Sequence, residues 1–438
     1  MKKFFKLLSL ILAITVFFSC SNKNGSEYST GKSKEEVTSL EVWFPAASPD
    51  GNDQEIWEAA VKPWEEEKGV KVNFQFISWA DFEAKYSSGI STGTGPDIGH
   101  MYVEMFPTFI DAGAVEDLTP YLTQEDYDHY LVLTDQHKIF GKHYGIPKAG
   151  KSSAVSLWYN KDILDEIGEE PPKNWEDIRR IVEKVQKDKG NGGPQDRIGL
   201  AQGWGQNFYQ DLNWNWYQFL WQNNTDMWDD DGKCIIDSKE GLEAAQFVYD
   251  MKFKYDALPE DTMSLTNTEA FDKYFMTGKA ALAYAGANKG RFHDLDNSST
   301  PFNYGFTIAI KGDEGGGGFF SAQDQAVLMS KCKDKELGMD FLRYITGGKG
   351  AEYVHKALNQ GPTFKGEEYY GLEQTKEEIE KYGEEFARPI KAARRAPEVY
   401  DYLWKKLQDM MNGNMDPKAT MEDVTNFANE LDYKDPEK

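Results

Sequence analysis

Hydrophobic and polar positions divide the first part of the chain into short strands and amphipathic helices. Residues 40–44 form a β-prone run, and apolar residues then recur at helical spacing over 56–68. Gly69 ends this helix, and 70–79 alternates in the manner of a strand. A strand, a helix and a strand at this spacing predict a βαβ unit in a mainly parallel sheet.

The same two patterns continue along the rest of the chain. They predict strands at 97–102, 154–159, 304–310 and 325–330, and helices at 81–91, 105–112, 175–188, 241–254, 268–277 and 335–346. Asn174 stands directly before one of these helices, where asparagine is a favoured N-cap residue. From residue 373 onward the pattern is helical. The alternation of the two element types therefore predicts an α/β protein.

The first twenty residues have the pattern of an export signal. Three lysines precede an apolar run over 7–18, which is too short to span a membrane as a helix. The run ends at Ser19 and Cys20, and residues 17–20 resemble a bacterial lipobox, with Phe17 where leucine is usual. We predict a signal peptide over 1–19, a lipidated Cys20 and a flexible tether over 20–38. An ordinary secretory signal with a chance cysteine is the alternative.

Composition narrows the possible partners. The chain has 49 Lys+Arg against 73 Asp+Glu, for a net charge of −24. This acidity argues against nucleic acid as a partner, because binding to phosphates requires a basic surface. Aromatic residues make up 14% of the chain, which suggests ring surfaces in addition to core. With Cys20 lipidated, Cys234 and Cys332 remain, and we predict that both are buried free thiols.

Several short segments match a known pattern when they are taken in order. They are 93–98 (GTGPDI), 112–121 (AGAVEDLTPY), 144–147 (YGIP), 157–162 (LWYNKD), 171–177 (PPKNWED) and 270–282, which ends in GKAAL. Their order and spacing resemble the family of extracellular solute-binding proteins of ABC transporters that includes maltose-binding protein. The resemblance covers nearly all of the chain that follows the signal peptide.

The resemblance implies an α/β type II periplasmic-binding-protein fold. Two discontinuous lobes are joined by a hinge, at 39–150 with 308–360 and at 151–307 with 361–438, and the ligand lies in the interlobe cleft. The implied function is that of a substrate-binding lipoprotein of an ABC-type carbohydrate importer. It would bind a mono- or oligosaccharide by hinge closure and deliver it to the permease, outside the cell or in the periplasm. We expect a membrane-anchored monomer with no catalysis, cofactor or metal.

Candidate ligand contacts combine the family's loop order with the chemistry of sugars, which need planar polar groups and aromatic rings. They are Ser48, Asp50, Tyr102, Glu104, Ser153, Trp204, Asn207, Asn288, Arg291, Gln323, Asp324 and Arg388. The competing interpretations are plain turns, a helix-cap carboxylate, ordinary loop packing and solvated loops. Two departures from the family pattern stand out. The acidic residue that the family carries at this position is absent near Ser153. The tryptophan with which the family stacks on its ligand is absent from 286–291.

Other functions remain open from the residues alone. A glycerol phosphodiester or phosphate could replace the sugar in the same fold, although the net charge disfavours an anion. A secreted glycoside hydrolase would also use acids and aromatic rings, and a surface lipoprotein could bind host macromolecules. Residues 229–232 read as a hairpin turn, because the required ligands fail when they are aligned with a calcium loop.

Overall fold

The computed structural model describes residues 37–150, 155–322 and 324–431. The strands are β1 (Ser39–Pro45), β2 (Lys71–Ile77), β3 (Ile98–Met101), β4 (Gly145–Pro147), β5 (Ser156–Asn160), β6 (Ile198–Ala201), β7 (Ala280–Ala285), β8 (Tyr304–Thr307), β9 (Phe319–Phe320), β10 (Gln325–Leu328) and β11 (Ala387–Arg388). The strand predictions from hydrophobic alternation are therefore confirmed, with small shifts at the ends.

The helices occupy most of the remaining chain. They are α1 (Asp53–Lys68), α2 (Phe82–Thr92), α3 (Phe106–Asp111), α4 (Gln124–His129), α5 (Lys161–Ile167), α6 (Trp175–Gly190), α7 (Leu212–Asn215), α8 (Tyr217–Gln222), α9 (Lys239–Phe253), α10 (Asn267–Ala270), α11 (Lys289–Asp296), α12 (Lys335–Gly347), α13 (Lys349–Leu358), α14 (Glu373–Phe386), α15 (Ala396–Met411) and α16 (Pro417–Glu430). The helix predicted at 268–277 is divided, because a π-helical turn at Phe271–Phe275 follows α10.

The first sheet has the strand order β2-β1-β3-β10-β4. Strand β1 is parallel to β2 and β3, as the predicted βαβ unit requires, whereas β10 is antiparallel to β3 and β4. Ala326 and Leu328 pack into one hydrophobic cluster, and Val327 packs into another. Since successive side chains of a strand point to opposite faces, helices cover both sides of this sheet. We call the sheet and the helices packed on it the first lobe.

The second sheet has the order β6-β7-β5-β8. Only β6 and β7 are parallel, because β5 runs antiparallel to both of its neighbours. The prediction of a mainly parallel sheet is therefore wrong for this sheet. The helical C-terminal segment packs here, with Leu403, Met410 and Val424 in the same cluster as Leu200 and Leu282. We call this assembly the second lobe.

Local sequence explains where the main helices begin and end. The Asn174 side chain accepts a hydrogen bond from Asp177 N at 2.9 Å, which confirms it as the N-cap of α6. Helix α2 ends at Gly93, which has a φ of 70°. This left-handed conformation favours glycine, and it turns the chain towards β3.

Three crossing segments lie side by side between the lobes. Lys148 N donates to Asp324 O at 3.0 Å, Val155 N donates to Phe320 O at 3.1 Å, and Ser321 N donates to Arg388 O at 2.9 Å. Strands β9 and β11 pair in the same region. These few backbone contacts form a narrow connection between two larger bodies, which is the geometry of a hinge.

The fold also tests the predictions about the two cysteines and about the turn at 229–232. Cys234 and Cys332 are free and buried, as predicted. Residues 229–232 form a tight turn between the bridged residues Trp228 and Cys234, which confirms the hairpin. No helix among the described residues combines the length and the apolar composition that crossing a membrane requires.

Candidate functional site

The carboxyl ends of β1, β2 and β3 meet at one edge of the first sheet, facing the second lobe. This edge is where ligands bind in open α/β sheets. Trp79 follows β2, Tyr102 and Glu104 follow β3, and Asp324 stands at the entrance to β10. The topology thus brings together residues that are far apart in sequence, among them the predicted contacts Tyr102, Glu104 and Asp324.

Glu104 has the environment of a binding carboxylate. The residue is 6% exposed, and burial raises the pKa of its carboxyl to about 8, with smaller contributions from the charges of Asp324 and Glu83. Its own backbone N–H is the one hydrogen-bond donor that opposes this shift. A buried carboxyl without a side-chain partner is costly unless something else supplies the hydrogen bond.

Asp324, His100 and Lys148 form a second polar group at the same edge. The Asp324 carboxylate lies 3.7 Å from His100 Nε2, which is too far for a hydrogen bond. Burial raises the pKa of Asp324 to about 6, and the charge of Lys148 opposes that rise. Burial also lowers the pKa of Lys148 to about 8. Burial and Lys148 together lower the pKa of His100, so this imidazole is neutral at pH 7.

A cluster of tyrosines in the second lobe reaches the first lobe through Tyr209. Tyr209 Oη donates to Glu83 Oε1 of α2 at 2.7 Å, and Tyr102 of the first lobe donates to the same oxygen. The ring centroids of Tyr209 and Tyr217 each lie 5.9 Å from that of Tyr400. All three of these tyrosines are buried, and the charge of Glu104 is among the causes that raise the pKa of each hydroxyl, after burial.

One tyrosine of this cluster carries an unsatisfied polar group. The Tyr217 hydroxyl is buried and has no hydrogen-bond partner among the described residues. Native proteins rarely leave buried hydroxyls unpaired, so this group calls for a partner such as an ordered water or a ligand atom. Glu104 and Tyr217 therefore offer an acceptor and a hydroxyl from opposite lobes.

Trp79 is a site feature that the sequence analysis missed. Its side chain is 38% exposed, although its ring centroid lies 5.5 Å from that of His100 and 6.2 Å from that of Tyr102. An exposed tryptophan beside buried polar groups presents a flat apolar face. The sequence signal for Trp79 was its position directly after β2, because residues that follow β1 and β3 were selected as candidates for that same reason.

Ser48 and Asp50, the predicted contacts in the loop after β1, form hydrogen bonds within that loop. Asp50 is exposed, and its N–H donates to Ser48 Oγ at 3.3 Å within a turn. The Ser48 hydroxyl donates to Asn52 Oδ1. Both side chains therefore match the competing interpretation of a plain turn at the rim of the cleft.

Trp204 requires a correction. Its side chain is 0% exposed and stacks on Trp404, with centroids 5.4 Å apart and ring planes 11° apart. Both of its faces are thus enclosed by core, and the ring cannot stack on a ligand in this arrangement. Its neighbour Asn207 is exposed, and no side chain of the cleft bonds to it among the described residues.

Asn288 and Arg291 also have local structural roles. Asn288 caps α11 by accepting a hydrogen bond from Arg291 N at 3.0 Å. The Arg291 guanidinium lies 4.8 Å from the centroid of Phe271 and donates to Gly286 O at 3.2 Å. One guanidinium nitrogen of Arg291 and the amide oxygen of Asn288 are therefore engaged within the protein, which leaves fewer groups free for the predicted grip on a ligand.

Arg388 lies at a neighbouring cavity instead of beside Glu104. This cavity of about 760 Å³ lies between the lobes, and its wall includes Val103, Lys138, Asp226, Arg388 and Lys391. The predicted residues Ser153 and Gln323 and the lipidation site Cys20 lie outside the described residues. Within the described ranges, no group of three His, Cys, Asp or Glu residues could hold a metal ion.

Comparisons with solved structures identify the fold. The ABC substrate-binding protein of Listeria monocytogenes in complex with cycloalternan matches with a TM-score of 0.70 at 19% identity, over 90% of this chain and 99% of that one. The maltose-bound MalE3 protein of T. maritima matches with a TM-score of 0.71 at 19% identity, over the same shares. The chain thus has the predicted two-lobed, type II periplasmic-binding-protein fold.

Curated relatives match a smaller share of the chain than these structures do, at higher sequence identity. Putative binding proteins of Brucella are 24% identical over 64% of this chain, and the match spans 65% of their own length. The arabinooligosaccharide-binding protein of Bacillus subtilis is 26% identical over 80% of this chain and 77% of its own. The family model of the bacterial extracellular solute-binding proteins matches residues 48–352. The chain therefore belongs to the family of bacterial extracellular solute-binding proteins.

Proposed function

We propose that the chain binds a carbohydrate between its lobes and acts as the substrate-binding component of an ABC-type importer. The observations that carry this proposal are the buried Glu104 carboxyl, which has no side-chain hydrogen-bond partner among the described residues, and the buried Tyr217 hydroxyl of the second lobe, which has none there either. Trp79 adds an exposed ring at the same edge. Sugars present hydroxyl groups and one apolar face, and this combination of side chains matches both.

The relatives support the same class of ligand. Two of them are arabinooligosaccharide-binding proteins, and the structural neighbours hold maltose and cycloalternan. We propose Glu104, Asp324 and Tyr102 as polar contacts and Trp79 as the stacking ring. Ser48, Asp50, Asn207, Asn288, Arg291 and Arg388 stay predictions for the rim, and Ser153 and Gln323 stay predictions for the hinge.

Hinge closure is the proposed binding step. Glu83 and Tyr209 already join the two lobes, so a ligand that touches both sides would stabilise the closed form further. We propose that the closed form then delivers the sugar to the permease, with no chemical change to the sugar. The lobe boundaries predicted from the family belong to this proposal.

Export and anchoring complete the proposal. We propose that Cys20 carries a lipid that holds the monomeric protein at the outer face of the cell membrane. Mass spectrometry of the membrane fraction should find diacylglycerol on an N-terminal Cys20. An unmodified mature N-terminus at another residue would contradict the anchor and leave the binding function standing.

Calorimetry and thermal denaturation with a carbohydrate panel test the binding function. The panel contains maltose, cellobiose, arabino-oligosaccharides, chito-oligosaccharides and the common monosaccharides. A ligand that binds only the folded state, at about 100 times its Kd, adds about 2.7 kcal/mol of stability. No response to any sugar of the panel would contradict the proposal. Release of reducing ends from a bound oligosaccharide would instead favour a hydrolase.

Two substitutions connect binding to the cleft. Trp79→Ala should weaken sugar binding roughly tenfold, because about 1.5 kcal/mol of ring contact is lost. Tyr353→Ala is the matched control, since Tyr353 is also an exposed aromatic residue, at 49%, but lies on α13. Equal effects of both substitutions would contradict the placement of the site. Glycerol 3-phosphate belongs in the same screen, although Glu83, Glu104 and Asp324 would repel its phosphate.

A further inference from the structure

A turn at Phe140 and Gly141 holds the backbone in a conformation that phenylalanine disfavours. Ile139 and Lys142 exchange two backbone hydrogen bonds, of 2.8 Å and 3.0 Å, so the two residues between them form a hairpin turn. Their φ angles are 49° and 81°. A turn with two positive φ angles favours asparagine followed by glycine, because a large side chain is strained there. Such strain persists only where the surrounding contacts impose it.

The contact that this turn makes crosses from the first lobe to the second. The Phe140 ring packs on the cluster of the first lobe that contains Phe109, and the Arg394 guanidinium lies 4.5 Å from the centroid of that ring. Arg394 Nη1 also donates to Asp111 Oδ1, at the end of α3, at 2.9 Å. One guanidinium therefore contacts a ring and a carboxylate of the first lobe, and both contacts attract it.

Arg394 itself is held by the second lobe. It lies between β11 and α15, and its neighbours Ile390 and Ala393 belong to the hydrophobic core cluster of that lobe. The next residue, Arg395, also has a positive φ angle, of 60°. Two of the five non-glycine residues with positive φ angles in the described part of the chain therefore flank this one contact, one on each side.

The ion pair alone would not account for this strain. The Arg394 and Asp111 side chains are 18% and 41% exposed, and ion pairs with this exposure contribute little to stability. The ring beneath the guanidinium adds a second attraction. Because the partners belong to different lobes, both attractions exist only while the lobes are together. The gain that offsets the strain is therefore a gain of the closed form.

We propose that Arg394, Phe140 and Asp111 form an interlobe latch that stabilises the closed form and slows the separation of the lobes. The latch adjoins the cavity between the lobes, whose wall includes Phe140. None of its three residues is among the proposed ligand contacts, so the latch acts on closure whether or not a ligand is bound. Its ion pair also makes closure sensitive to salt, because mobile ions screen exposed charges.

Two adjacent arginines provide a matched pair of variants. Arg394→Gln removes the charge that crosses between the lobes, whereas Arg395→Gln removes the same charge one residue later, where it bonds to Glu398 of its own helix at 2.8 Å. Small-angle X-ray scattering of the ligand-free protein in 0.1 M NaCl should show a larger radius of gyration for Arg394→Gln. Arg395→Gln should keep the wild-type value.

Salt provides a second test on the unaltered protein. The screening length falls from about 10 Å at 0.1 M salt to about 3 Å at 1 M. The radius of gyration of the wild-type protein should therefore increase towards that of Arg394→Gln in 1 M NaCl, and the variant itself should change less. A wild-type radius that does not respond to salt overturns the electrostatic part of the latch.

Phe140→Asn separates the latch from the stability of the fold. Asparagine is favoured in this turn, so the variant should keep a melting temperature close to that of the wild-type protein although it loses the packing of the ring. The ligand-free variant should nevertheless expand as Arg394→Gln does. A lower melting temperature with unchanged scattering would show that the ring only packs within the first lobe, and it overturns the latch.

The remaining outcomes keep the latch distinct from the proposed function. Equal scattering from the wild-type protein and Arg394→Gln overturns the latch, and so does an equal expansion in Arg395→Gln. For any sugar of the carbohydrate panel that binds, stopped-flow measurements should find that Arg394→Gln releases it roughly three to ten times faster, because opening precedes release. If no sugar binds, the proposed function fails and the scattering still decides the latch.

Discussion

The hydrogen bond between Tyr209 and Glu83 joins the two lobes, so its removal is a direct test of lobe closure. Tyr209 belongs to the second lobe and Glu83 to α2 of the first, and their oxygens are 2.7 Å apart. Burial and the charge of Glu83 raise the pKa of the Tyr209 hydroxyl, so it remains a donor at neutral pH. Tyr209→Phe removes this donor and keeps the ring that packs on Tyr400.

The expected magnitude follows from the type of bond. A hydrogen bond to a charged acceptor contributes about 1.5 kcal/mol or more when it is partly buried. Because this bond exists only while the lobes are together, its loss should shift the equilibrium towards the open form by roughly tenfold. Ligand affinity should fall by up to the same factor, since the ligand must then supply the energy of closure.

Tyr102→Phe is the matched control. Its hydroxyl bonds to the same oxygen of Glu83, but Tyr102 and Glu83 belong to one lobe, so that bond can persist when the lobes separate. Small-angle X-ray scattering of the ligand-free proteins should show a larger radius of gyration for Tyr209→Phe and no change for Tyr102→Phe. Identical scattering from the wild-type protein and the Tyr209→Phe variant would refute the reasoning.

Three further predictions concern stability and are measured by thermal or chemical denaturation. Glu104→Gln should stabilise the protein at pH 9 more than at pH 5. The pKa of Glu104 is about 8 in the folded state, above its ordinary value of 4.5. The stability of the wild-type protein therefore falls as the pH rises from the ordinary pKa to the folded-state pKa. An unchanged difference between the two pH values would contradict the burial argument. Trp204→Ala should cost about 3–5 kcal/mol, because it removes a fully enclosed ring from Trp404, and a loss of affinity without a loss of stability would restore Trp204 as a ligand contact. Glu367→Gln should cost about 3 kcal/mol, because it leaves His355 without its carboxylate partner at 2.6 Å; wild-type stability in this variant would show that the pair is dispensable.

Hydrophobic spacing was sufficient to predict most elements of the fold. The helix at 175–188 has its apolar residues on one face and an asparagine cap, and α6 buries that face and uses that cap. The direction of the strands of the second sheet was not predictable in the same way. Strand β5 pairs with β7 and β8, which follow it by more than a hundred residues, and local periodicity carries no information about such pairing.

The position of a candidate residue was predictable where strand order determines it. Glu104 was selected because it follows the third strand, where the family usually has an acid, and Asp324 because it precedes a strand, and both lie at the same edge of the first sheet. Trp204 was selected from the composition of its loop and Arg291 from the place of 286–291 in the family's segment order, and they pack against Trp404 and Phe271. A loop rich in aromatic residues can serve a ligand or a core equally well, so composition could not decide the role of Trp204.

The contrast between two buried acids is the physical reason for proposing one of them, Glu104, as a ligand contact. The Glu367 side chain is 0% exposed, but His355 and Thr363 N satisfy its two oxygens at 2.6 Å and 2.9 Å. Glu104 is almost as buried, yet only its own backbone N–H opposes the cost of burial. For Glu367, hydrogen bonds within the fold offset the cost of desolvation. The Glu104 carboxyl would instead gain stability from a hydrogen-bond donor on a ligand.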